Sequence, residues 1–479
     1  MLIASLYDVV VSLDGSGDYR SVTEALANAP QDDAPYVIFI RKGEYHERFE
    51  VTRPRVSLIG ESCEDTIITS SVANGMLDSQ GRKFATFGSR TVSINAPDFS
   101  ARSLTICNGF DFPANQAKAN TDPTRLRHTQ AVALLIASHG DRVQLKDVRL
   151  ISYHDTLYLY AGRSYIEQSL ISGTVDFIFG GGTALLEHCD IVARNRDDVH
   201  SDEPYGYLVA PCTPIKQSFG LVVQDCRLEK ENGVPAGSYG LGRPWHPTTR
   251  FEDGTYADPD AVGHAAFIRC QMDDHIFGWD KMSGRDRDRN TIWFYPEDSR
   301  FSEYQNRGKG SCPGDRNRPQ LTADQVSNYT PEALFSGWVP DISLSEMSAL
   351  VGTVDTAKDS IPAKVQVTDT LGMVRTTLVD QQGRYTVPVS FMTPPLLVSL
   401  LPLSDADESH NMRALVVLVN NQGETECNIT AASELMVSDA ENRIQFGEFR
   451  AGIPVPPLPR SMWEAFQLLA DAGSGKIIA

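Results

Sequence analysis

The 479-residue sequence lacks several features that would narrow its class at once. It has no run of eighteen apolar residues, so it contains no candidate membrane-spanning helix. Its eight cysteines form no Cys-x-x-Cys pair and no Cys/His cluster with zinc spacing, and they are too sparse for a disulfide framework. We therefore expect no metal site and no cofactor.

Positive charge is also scarce, since 43 Lys and Arg stand against 62 Asp and Glu, for a formal net charge of −19. A field of that sign repels phosphate backbones and anionic lipid, so we expect neither nucleic acid nor a membrane as a partner. The first residues, up to Asp8, lack the basic stretch and apolar core of a signal peptide. The sequence leaves both the localisation and the oligomeric state open, with a monomer the simplest case.

What the sequence does contain is a set of short β-rich runs that recur about every twenty residues. The runs cover residues 99–106, 143–150, 164–171, 184–191, 220–226 and 266–270. Val148, Ser169 and Cys189 occupy one column of this repeat, and no intervening segment has a helical period. Stacked coils of this kind predict an all-β fold, a right-handed parallel β-helix.

Two further predictions follow from the stacking. The open end of such a stack needs a cap, and Ser21 with Glu24 forms a capping box before a short helix at 22–29. Cys189, Cys226 and Cys270 recur at one inward position, so they are expected to be buried core residues.

The repeat also aligns Asp155 with Asp176, which are 21 residues apart. On neighbouring coils their backbones would lie one strand spacing apart, roughly 4.8 Å. Two negative charges at that distance repel by about 3.5 kcal/mol, which corresponds to roughly 2.5 pKa units. One carboxylate would then be ionised beside a protonated one, the arrangement that a nucleophile and a general acid require.

Two other interpretations of this pair remain open on spacing alone. Aspartates in turns often bond only to local amides, and paired carboxylates on a β-helix can hold calcium. Asp155 lies in Tyr-His-Asp-Thr-Leu-Tyr and Asp176 in Gly-Thr-Val-Asp-Phe-Ile-Phe-Gly. These aromatic and β-branched neighbours, rather than an oxygen-rich loop, favour catalysis over a calcium site.

With these motifs the sequence resembles the pectin methylesterase family, from about residue 8 to 340. The motifs that carry the resemblance, in order along the chain, are Gly43–Glu47, Gln130–Leu134, His154–Tyr158, Gly173–Gly180 and Leu241–Trp245. Three further stretches are similar to the bacterial members: Phe112–Lys118, Gly206–Thr213 and Gly278–Met282.

The resemblance implies a role for each matching residue. Asp176 would attack the methyl ester of a galacturonate unit, Gln130 would stabilise the oxyanion, and Asp155 would act as acid and then base. Arg243 would hold Asp176 ionised. The residues implied to contact sugar are Trp245, Tyr158 and Phe179, with Thr86, Thr248, Arg196 and Met282 as weaker contacts. The implied substrate is pectin, as methylated homogalacturonan, and the implied location is secreted or periplasmic. The net charge predicts weak binding of de-esterified pectin.

The sequence departs from the family pattern at two positions. His154 stands where most members have a second glutamine, so we expect it to contribute an N–H to the oxyanion and to titrate near pH 6.5 unless shifted. Ser169 stands where many members have a cysteine bridged to the position of Cys189, so Cys189 is expected to be a free thiol.

Several alternatives remain. A pectate lyase would need an acidic calcium cluster with a basic residue, and a polygalacturonase would need a Gly-His-Gly motif, neither of which the sequence contains. An esterase of the same family that acts on another acyl substrate remains possible because of His154. A non-catalytic glycan-binding β-helix is the alternative outside enzymes.

Past Pro340 the pattern changes to alternating strands with glycine turns, at 351–355, 363–372, 380–387 and 396–401. We expect a catalytic domain at 1–340 and an accessory domain at 341–479 that resembles a β-sandwich. Ser461 and Glu464 would cap a terminal helix after Pro459.

Overall fold

The structure is a computed structural model. It describes residues 8–32, 34–196, 198, 203–340, 349–354, 363–369, 374–380, 382–389, 392, 395–402, 412–416 and 424–445.

The first part of the chain is built almost entirely of short strands. They are β1 Val9–Val11, β2 Tyr36–Ile40, β3 Gly43–His46, β4 Phe49–Val51, β5 Val56–Gly60, β6 Thr66–Ser70, β7 Val92–Ile94, β8 Ser100–Asn108, β9 Leu134–Ile136, β10 Val143–Ile151, β11 Leu157–Leu159, β12 Arg163–Glu167, β13 Leu170–Gly173, β14 Ile178–Gly180, β15 Thr183–Glu187, β16 Asp190–Ala193, β17 Gly206–Pro211, β18 Leu221–Gln224, β19 Arg227–Lys230, β20 Tyr239–Gly242, β21 Thr248–Phe251, β22 Gly254–Ala257, β23 His264–Ile268, β24 Gln271–Met272, β25 Ile276–Trp279, β26 Met282–Arg285, β27 Thr291–Phe294 and β28 Arg300–Tyr304.

Each coil contributes one strand to each face of a parallel β-helix. The first face runs β1-β2-β5-β8-β10-β12-β15-β18-β23-β28, and the second face joins β3, β6, β13, β16, β19 and β24 to the ends of β8 and β10. The third face is the separate sheet β4-β7-β9-β11-β14-β17-β20-β25. Neighbouring strands pair in parallel, as Val143 with Ser164 and Ser164 with Ala184. The predicted fold class is confirmed.

A left-handed residue recurs at the corner between the first and second faces. It is Ser103, Asp147, Gln168, His188, Asp225, Arg269 and Gln305 on successive coils, with φ between 47° and 53°. A single left-handed residue turns the chain sharply without an extended loop. The roughly twenty-residue period in the sequence is the length of one coil with such a corner.

The interior of the coils is a continuous apolar column. Cys189, Cys226 and Cys270 stack within it and are at most 1% exposed, which confirms the prediction that they are core residues. Cys189 is a free thiol, also as predicted. The hydroxyl of Ser169, at the same column, donates to the carbonyl of Glu167 at 2.8 Å and accepts from the N–H of Val148 at 3.1 Å.

The front of the stack is covered by helix α1, Val22–Ala27. The Ser21 hydroxyl accepts the N–H of Glu24 at 3.1 Å, as the predicted cap requires. The second hydrogen bond of a capping box, from the backbone N–H of the cap residue to the Glu24 side chain, differs. The Glu24 carboxylate accepts from the N–H of Arg20 rather than of Ser21. The helix ends two residues before the predicted Ala29, since Asn28 takes its C-cap position.

Four other short helices lie along the coils and at their far end, with a 3₁₀ turn at Pro296–Asp298. They are α2 Ala85–Gly88, α3 Phe112–Gln116, α4 Ala323–Val326 and α5 Pro331–Leu334. Leu334 and Phe335 are buried against the outer side of the first face, over Tyr165 and Leu185. Among the described residues, no helix is long and apolar enough to cross a membrane.

The last quarter forms two small sheets around a core of its own. Its strands are β29 Ala349–Thr353, β30 Ala363–Thr368, β31 Val374–Leu378, β32 Arg384–Pro388, β33 Leu396–Pro402, β34 Arg413–Val416 and β35 Glu424–Glu426. The sheets run β32-β29-β35 and β31-β30-β33-β34, so the β-sandwich-like prediction holds.

A helix that the sequence reading missed, α6 Ala431–Gln445, packs on β34. Arg413 on β34 pairs with Glu434 of this helix at 2.7 Å. The helix predicted after Pro459 lies outside the described residues. A buried ion pair joins the two parts of the chain, because Arg102 on β8 donates to Asp369 at 3.0 Å.

Candidate active site

The two aspartates of the repeat lie on consecutive coils at the entrance to the third face. Asp155 precedes β11 and Asp176 precedes β14. The backbone N–H of Asp155 donates to the carbonyl of Val175 at 3.2 Å, which fixes the two turns side by side. One coil earlier, the N–H of Ala131 donates to the carbonyl of His154 at 2.9 Å, and this bond places Gln130 beside the same turns.

Both aspartates have left-handed backbones, with φ of 64° at Asp155 and 51° at Asp176. This conformation costs a non-glycine residue of the order of 1–3 kcal/mol and is found disproportionately at functional sites. Aspartate tolerates it better than most residues because its short side chain can bond locally. The turn directs both carboxylates away from the core, into the cleft described below.

Asp176 is held by a two-pronged ion pair. Arg243 Nε donates to Asp176 Oδ1 at 2.9 Å, and Arg243 Nη2 donates to Oδ2 at 2.7 Å. Burial alone would lower the pKa of Arg243, but the Asp176 carboxylate outweighs burial and raises it. The guanidinium therefore stays charged, and its two hydrogen bonds fix the orientation of the Asp176 carboxylate.

Arg243 is in turn supported by two residues that the sequence reading did not identify. Its guanidinium carbon lies 4.2 Å from the centre of the Tyr207 ring. The Tyr207 hydroxyl donates to Asp280 Oδ2 at 2.6 Å. These contacts connect Asp280, Tyr207, Arg243 and Asp176 in one chain. The chain fixes the position of the Asp176 carboxylate.

Asp155 has the opposite surroundings. Burial raises its pKa well above the usual range, and the nearby Asp176 charge raises it further, against a smaller opposing effect of Arg243. Asp155 is 7% exposed. Asp155 therefore holds a proton more readily than an ordinary aspartate does, which is the property required of a general acid.

His154 lies beside Asp155, with its Nε2 3.3 Å from Asp155 Oδ1. Burial lowers the pKa of His154 from 6.5 to about 4; Asp176 opposes this shift, while Arg196 and Arg243 add to it. The shift that the expectation of pH 6.5 allowed for is therefore present, because the imidazole is desolvated and lies near two guanidinium groups. Neutral His154 can donate one N–H at physiological pH.

Gln130 offers an amide that the fold leaves unused. Its buried Oε1 has no hydrogen-bond partner among the described residues. Buried amides are normally satisfied by the protein. An amide at the edge of a cleft that lacks such a bond is suited to bind a ligand.

These groups line an open cleft of about 470 Å³. Its lining comprises Asn74, Ala85, Thr86, Phe87, Gln130, His154, Asp155, Tyr158, Asp176, Phe179, Ala210, Trp245 and Met282. Asn74, Ala85, Phe87 and Ala210 were not identified from the sequence. Asn74 Nδ2 donates to the Thr86 hydroxyl at 3.0 Å, which fixes one wall of the cleft.

Aromatic rings form the floor. Tyr158 stacks on Phe179 with centroids 4.1 Å apart and planes at 19°. Trp245 meets Phe179 edge to face at 5.6 Å. The register of β11 with β14 explains the stack, since Tyr158 pairs directly with Phe179. A rigid aromatic floor beside two carboxylates suits a substrate with both apolar faces and polar groups.

Two of the residues expected to touch substrate lie outside the cleft lining. Thr248 begins the hairpin β21–β22 and is exposed to solvent. The guanidinium of Arg196 binds the Asp198 carboxylate at 2.8 Å and the Tyr205 carbonyl at 2.7 Å, so its hydrogen-bonding groups are engaged within the protein. Arg196 acts on the cleft through its charge, which lowers the pKa of His154.

Within the described residues, no three His, Cys, Asp or Glu side chains come together in a way that could hold a metal ion. The groups that the cleft offers for chemistry are the Asp176 and Asp155 carboxyls, the Gln130 amide and the neutral His154 imidazole.

The pectinesterase family model matches residues 8–337, which include every coil of the β-helix. The chain belongs to the pectinesterase family. Pectinesterase A from Dickeya chrysanthemi is 51% identical over 342 residues, which are 71% of this chain and 93% of that protein. This level of identity identifies the chain as a carboxylic ester hydrolase.

Solved structures agree with this assignment. A pectin methylesterase in complex with a hexasaccharide matches with a TM-score of 0.68 and 51% identity, over 70% of this chain and 98% of that one. Pectin methylesterase from Yersinia enterocolitica matches with a TM-score of 0.65 and 50% identity, over 67% and 100% of the two chains. Both matches leave about the last third of this chain uncovered.

Proposed function

We propose that this pectinesterase hydrolyses methyl esters of galacturonate units in pectin and releases methanol, with Asp176 as nucleophile and Asp155 as general acid and base. The observation that carries the proposal is the contrast between the two carboxylates. Asp176 is bonded to Arg243 by both oxygens, whereas the pKa of Asp155 is raised by burial and by the Asp176 charge.

In the first half-reaction an oxygen of Asp176 bonds to the ester carbonyl carbon, and the carbonyl electron pair moves onto its oxygen. The amide of Gln130, and an N–H of His154, would stabilise that oxyanion. Collapse of the intermediate breaks the bond to the methoxy group, which takes the proton of Asp155 and leaves as methanol. An anhydride between Asp176 and the galacturonyl group remains, beside an ionised Asp155.

In the second half-reaction Asp155 takes a proton from water as the water oxygen bonds to the galacturonyl carbonyl. The anhydride bond then breaks, which frees galacturonic acid and restores the Asp176 carboxylate. Ester and water are thus converted to acid and methanol, and Asp155 regains its proton. Arg243 stabilises Asp176 as the attacking group and as the leaving group.

The substrate is inferred from the relatives and from the cleft. The relatives' names are pectinesterase and pectin methylesterase, and two of the solved structures contain a hexasaccharide. The aromatic floor of this cleft offers faces on which sugar rings can pack. A chain with a net charge of −19 also favours a methylated, nearly neutral polymer over a de-esterified one.

The test is methanol release from highly methylated pectin. We expect the unmodified protein to release methanol, and Asp176→Asn and Asp155→Asn each to lose about 10³-fold or more of kcat. Asp190→Asn, which alters an ion pair with Arg227 on the second face, is the control and should keep its activity. Equal activity of all four proteins would refute the assignment.

Product analysis separates the alternatives. Unsaturated ends would indicate a lyase, and new reducing ends a polygalacturonase. Activity on another ester or a thioester but not on pectin would indicate a different acyl substrate, and no hydrolysis at all would indicate a binding protein.

We also propose that the chain divides near residue 340 into this catalytic β-helix and an accessory domain. The separate apolar core of the last quarter supports the division. We propose a secreted or periplasmic location, because pectin is a polymer that does not cross membranes.

A further inference from the structure

Tyr160 continues the aromatic floor beyond the cleft lining. It follows β11 directly, and its N–H donates to the carbonyl of Ile136 at 3.0 Å, so its backbone is fixed like that of a strand residue. Alternate residues of a strand point to the same side. The side chains of Tyr158 and Tyr160 therefore both face outward. Tyr158 lines the cleft, and Tyr160 lies two residues further along the chain, outside the cleft lining.

The Tyr160 ring is held in place by its neighbours. Its centroid lies 5.9 Å from that of Phe87 and 5.7 Å from that of Tyr158, with planes at 87° and 82°. Both neighbours line the cleft. Edge-to-face contacts of this kind hold the Tyr160 ring in one orientation.

The next coil places a glycine, and no side chain, beside Tyr160. Tyr158 is paired with Phe179 and is covered by its ring, at 4.1 Å. Two residues further on, the position beside Tyr160 is held by Gly181, which has no side chain. As a result Tyr158 is 8% exposed, whereas Tyr160 is 47% exposed.

The charges around this ring are balanced. Arg90 lies over Phe87, with 5.6 Å from its guanidinium carbon to the ring centre. The same guanidinium is paired with Glu50 at 3.3 Å. The guanidinium next to Phe87 is therefore already engaged with a carboxylate of the protein.

We propose that Tyr160 is the stacking platform of an additional subsite, which binds a further pyranose unit of the galacturonan chain outside the cleft on the Phe87 side. A polymer that is longer than the cleft must leave it at an open end, and this end presents a fixed, half-exposed aromatic ring. The inference rests on the proposed function, since it assumes that the polymer occupies the cleft.

The experiment compares long methylated pectin with a short methylated oligogalacturonide that fits within the cleft. Tyr160→Ala should raise KM for the long substrate about 3- to 10-fold, as expected for the loss of one aromatic contact. It should leave kcat, and both constants for the short substrate, unchanged. Tyr160→Phe should behave like the unmodified enzyme, because the ring and not the hydroxyl makes the contact.

Gly181→Leu tests the same subsite without removing the ring. A Cβ at Gly181 would meet its nearest atoms at 3.4–3.6 Å, which is ordinary contact, so the variant is expected to fold. Its side chain would occupy the space beside Tyr160 and should raise KM for the long substrate as Tyr160→Ala does. Trp293→Ala, which removes a 50% exposed ring outside the cleft lining, is the control and should change neither constant.

An unchanged KM for pectin in both variants would overturn the subsite, and so would an equal rise of KM on long and short substrates. If the unmodified enzyme released no methanol from either substrate, the proposed function would fail instead.

Discussion

The turns around Asp155 and Asp176 are nearly identical in backbone and opposite in electrostatics. Each turn has a left-handed aspartate two residues before a strand of the third face. Asp176 receives two hydrogen bonds from Arg243, whereas Asp155 faces the Asp176 charge and the neutral His154. The β-helix repeats the backbone, and the side chains around it make the two acids different.

The difference comes from one residue that is far away in sequence. Arg243 follows β20, two coils beyond Asp176 and 67 residues along the chain. Its guanidinium binds Asp176 directly. At Asp155 its charge lowers the pKa by less than burial and the Asp176 charge raise it. Pairs of titratable groups whose surroundings separate their pKa values mark the acid and the base of an active site.

After the two aspartate variants, the largest expected effect on the reaction comes from the removal of Arg243. In Arg243→Gln the Asp176 carboxylate would lose its counter-ion and both of its hydrogen bonds to it. We expect kcat on methylated pectin to fall by about 10²–10³-fold. Arg269→Gln is the control, since Arg269 binds Asp225 through two similar bonds outside the site. A loss of less than tenfold in Arg243→Gln would mean that the ion pair is structural only.

The two aspartates should also respond oppositely to amide substitution when stability is measured. Asp176→Asn leaves the partly exposed Arg243 without its counter-ion, so we expect the free energy of unfolding to fall by about 1.5–3 kcal/mol. Asp155→Asn replaces a carboxyl whose pKa is raised in the folded state, so it should stabilise the protein at pH 7. Chemical denaturation at pH 7 measures both changes.

The pH dependence of this stabilisation has a definite sign. A raised pKa means that the folded state retains a proton which the unfolded state releases, so the unmodified protein loses stability as the pH rises above the ordinary value of 3.8. Below that value both states hold the proton. The advantage of Asp155→Asn should therefore vanish at low pH, and an advantage that grew towards acid would contradict the assignment of the proton.

Much of this arrangement was predictable from the sequence, and the reasons are physical. Asp155 and Asp176 could be aligned from the sequence alone, because their separation along the chain equals the length of one coil. Arg243 entered only through the family resemblance, because the loops between the later coils have unequal lengths and destroy the period. Tyr207 and Asp280 were missed for the same reason.

Helix α6 shows what a search for capped, periodic helices overlooks. The sequence analysis predicted a terminal helix after Pro459, outside the described residues, and did not identify α6, in which Leu435 is 71% exposed. This helix is held by buried Val437 and by the Arg413–Glu434 pair rather than by a broad apolar stripe. Such contacts depend on tertiary structure and leave no periodic signal.

A smaller effect is expected from the support behind Arg243. Tyr207→Phe keeps the ring under the guanidinium but loses the hydroxyl bond to Asp280, so kcat should fall about tenfold or less, with KM little changed. Asp280→Asn should have a similar effect, and the double variant should be no worse than the single ones, because one bond is lost in each case. Additive losses would show that the two residues act separately.

The smallest effect at neutral pH is expected from His154→Gln. With a pKa of about 4, His154 is neutral from pH 6 to 8 and donates one N–H, as a glutamine amide can. The two enzymes should therefore agree within about threefold in this range. Below about pH 5 the histidine begins to take up a proton, and the positive charge beside Asp155 should make the rate profiles of the two enzymes diverge. A kcat–pH profile of both proteins from pH 3.5 to 8 tests this. A divergence centred near pH 6.5 would show that the imidazole is solvated, and identical profiles at every pH would remove His154 from the reaction.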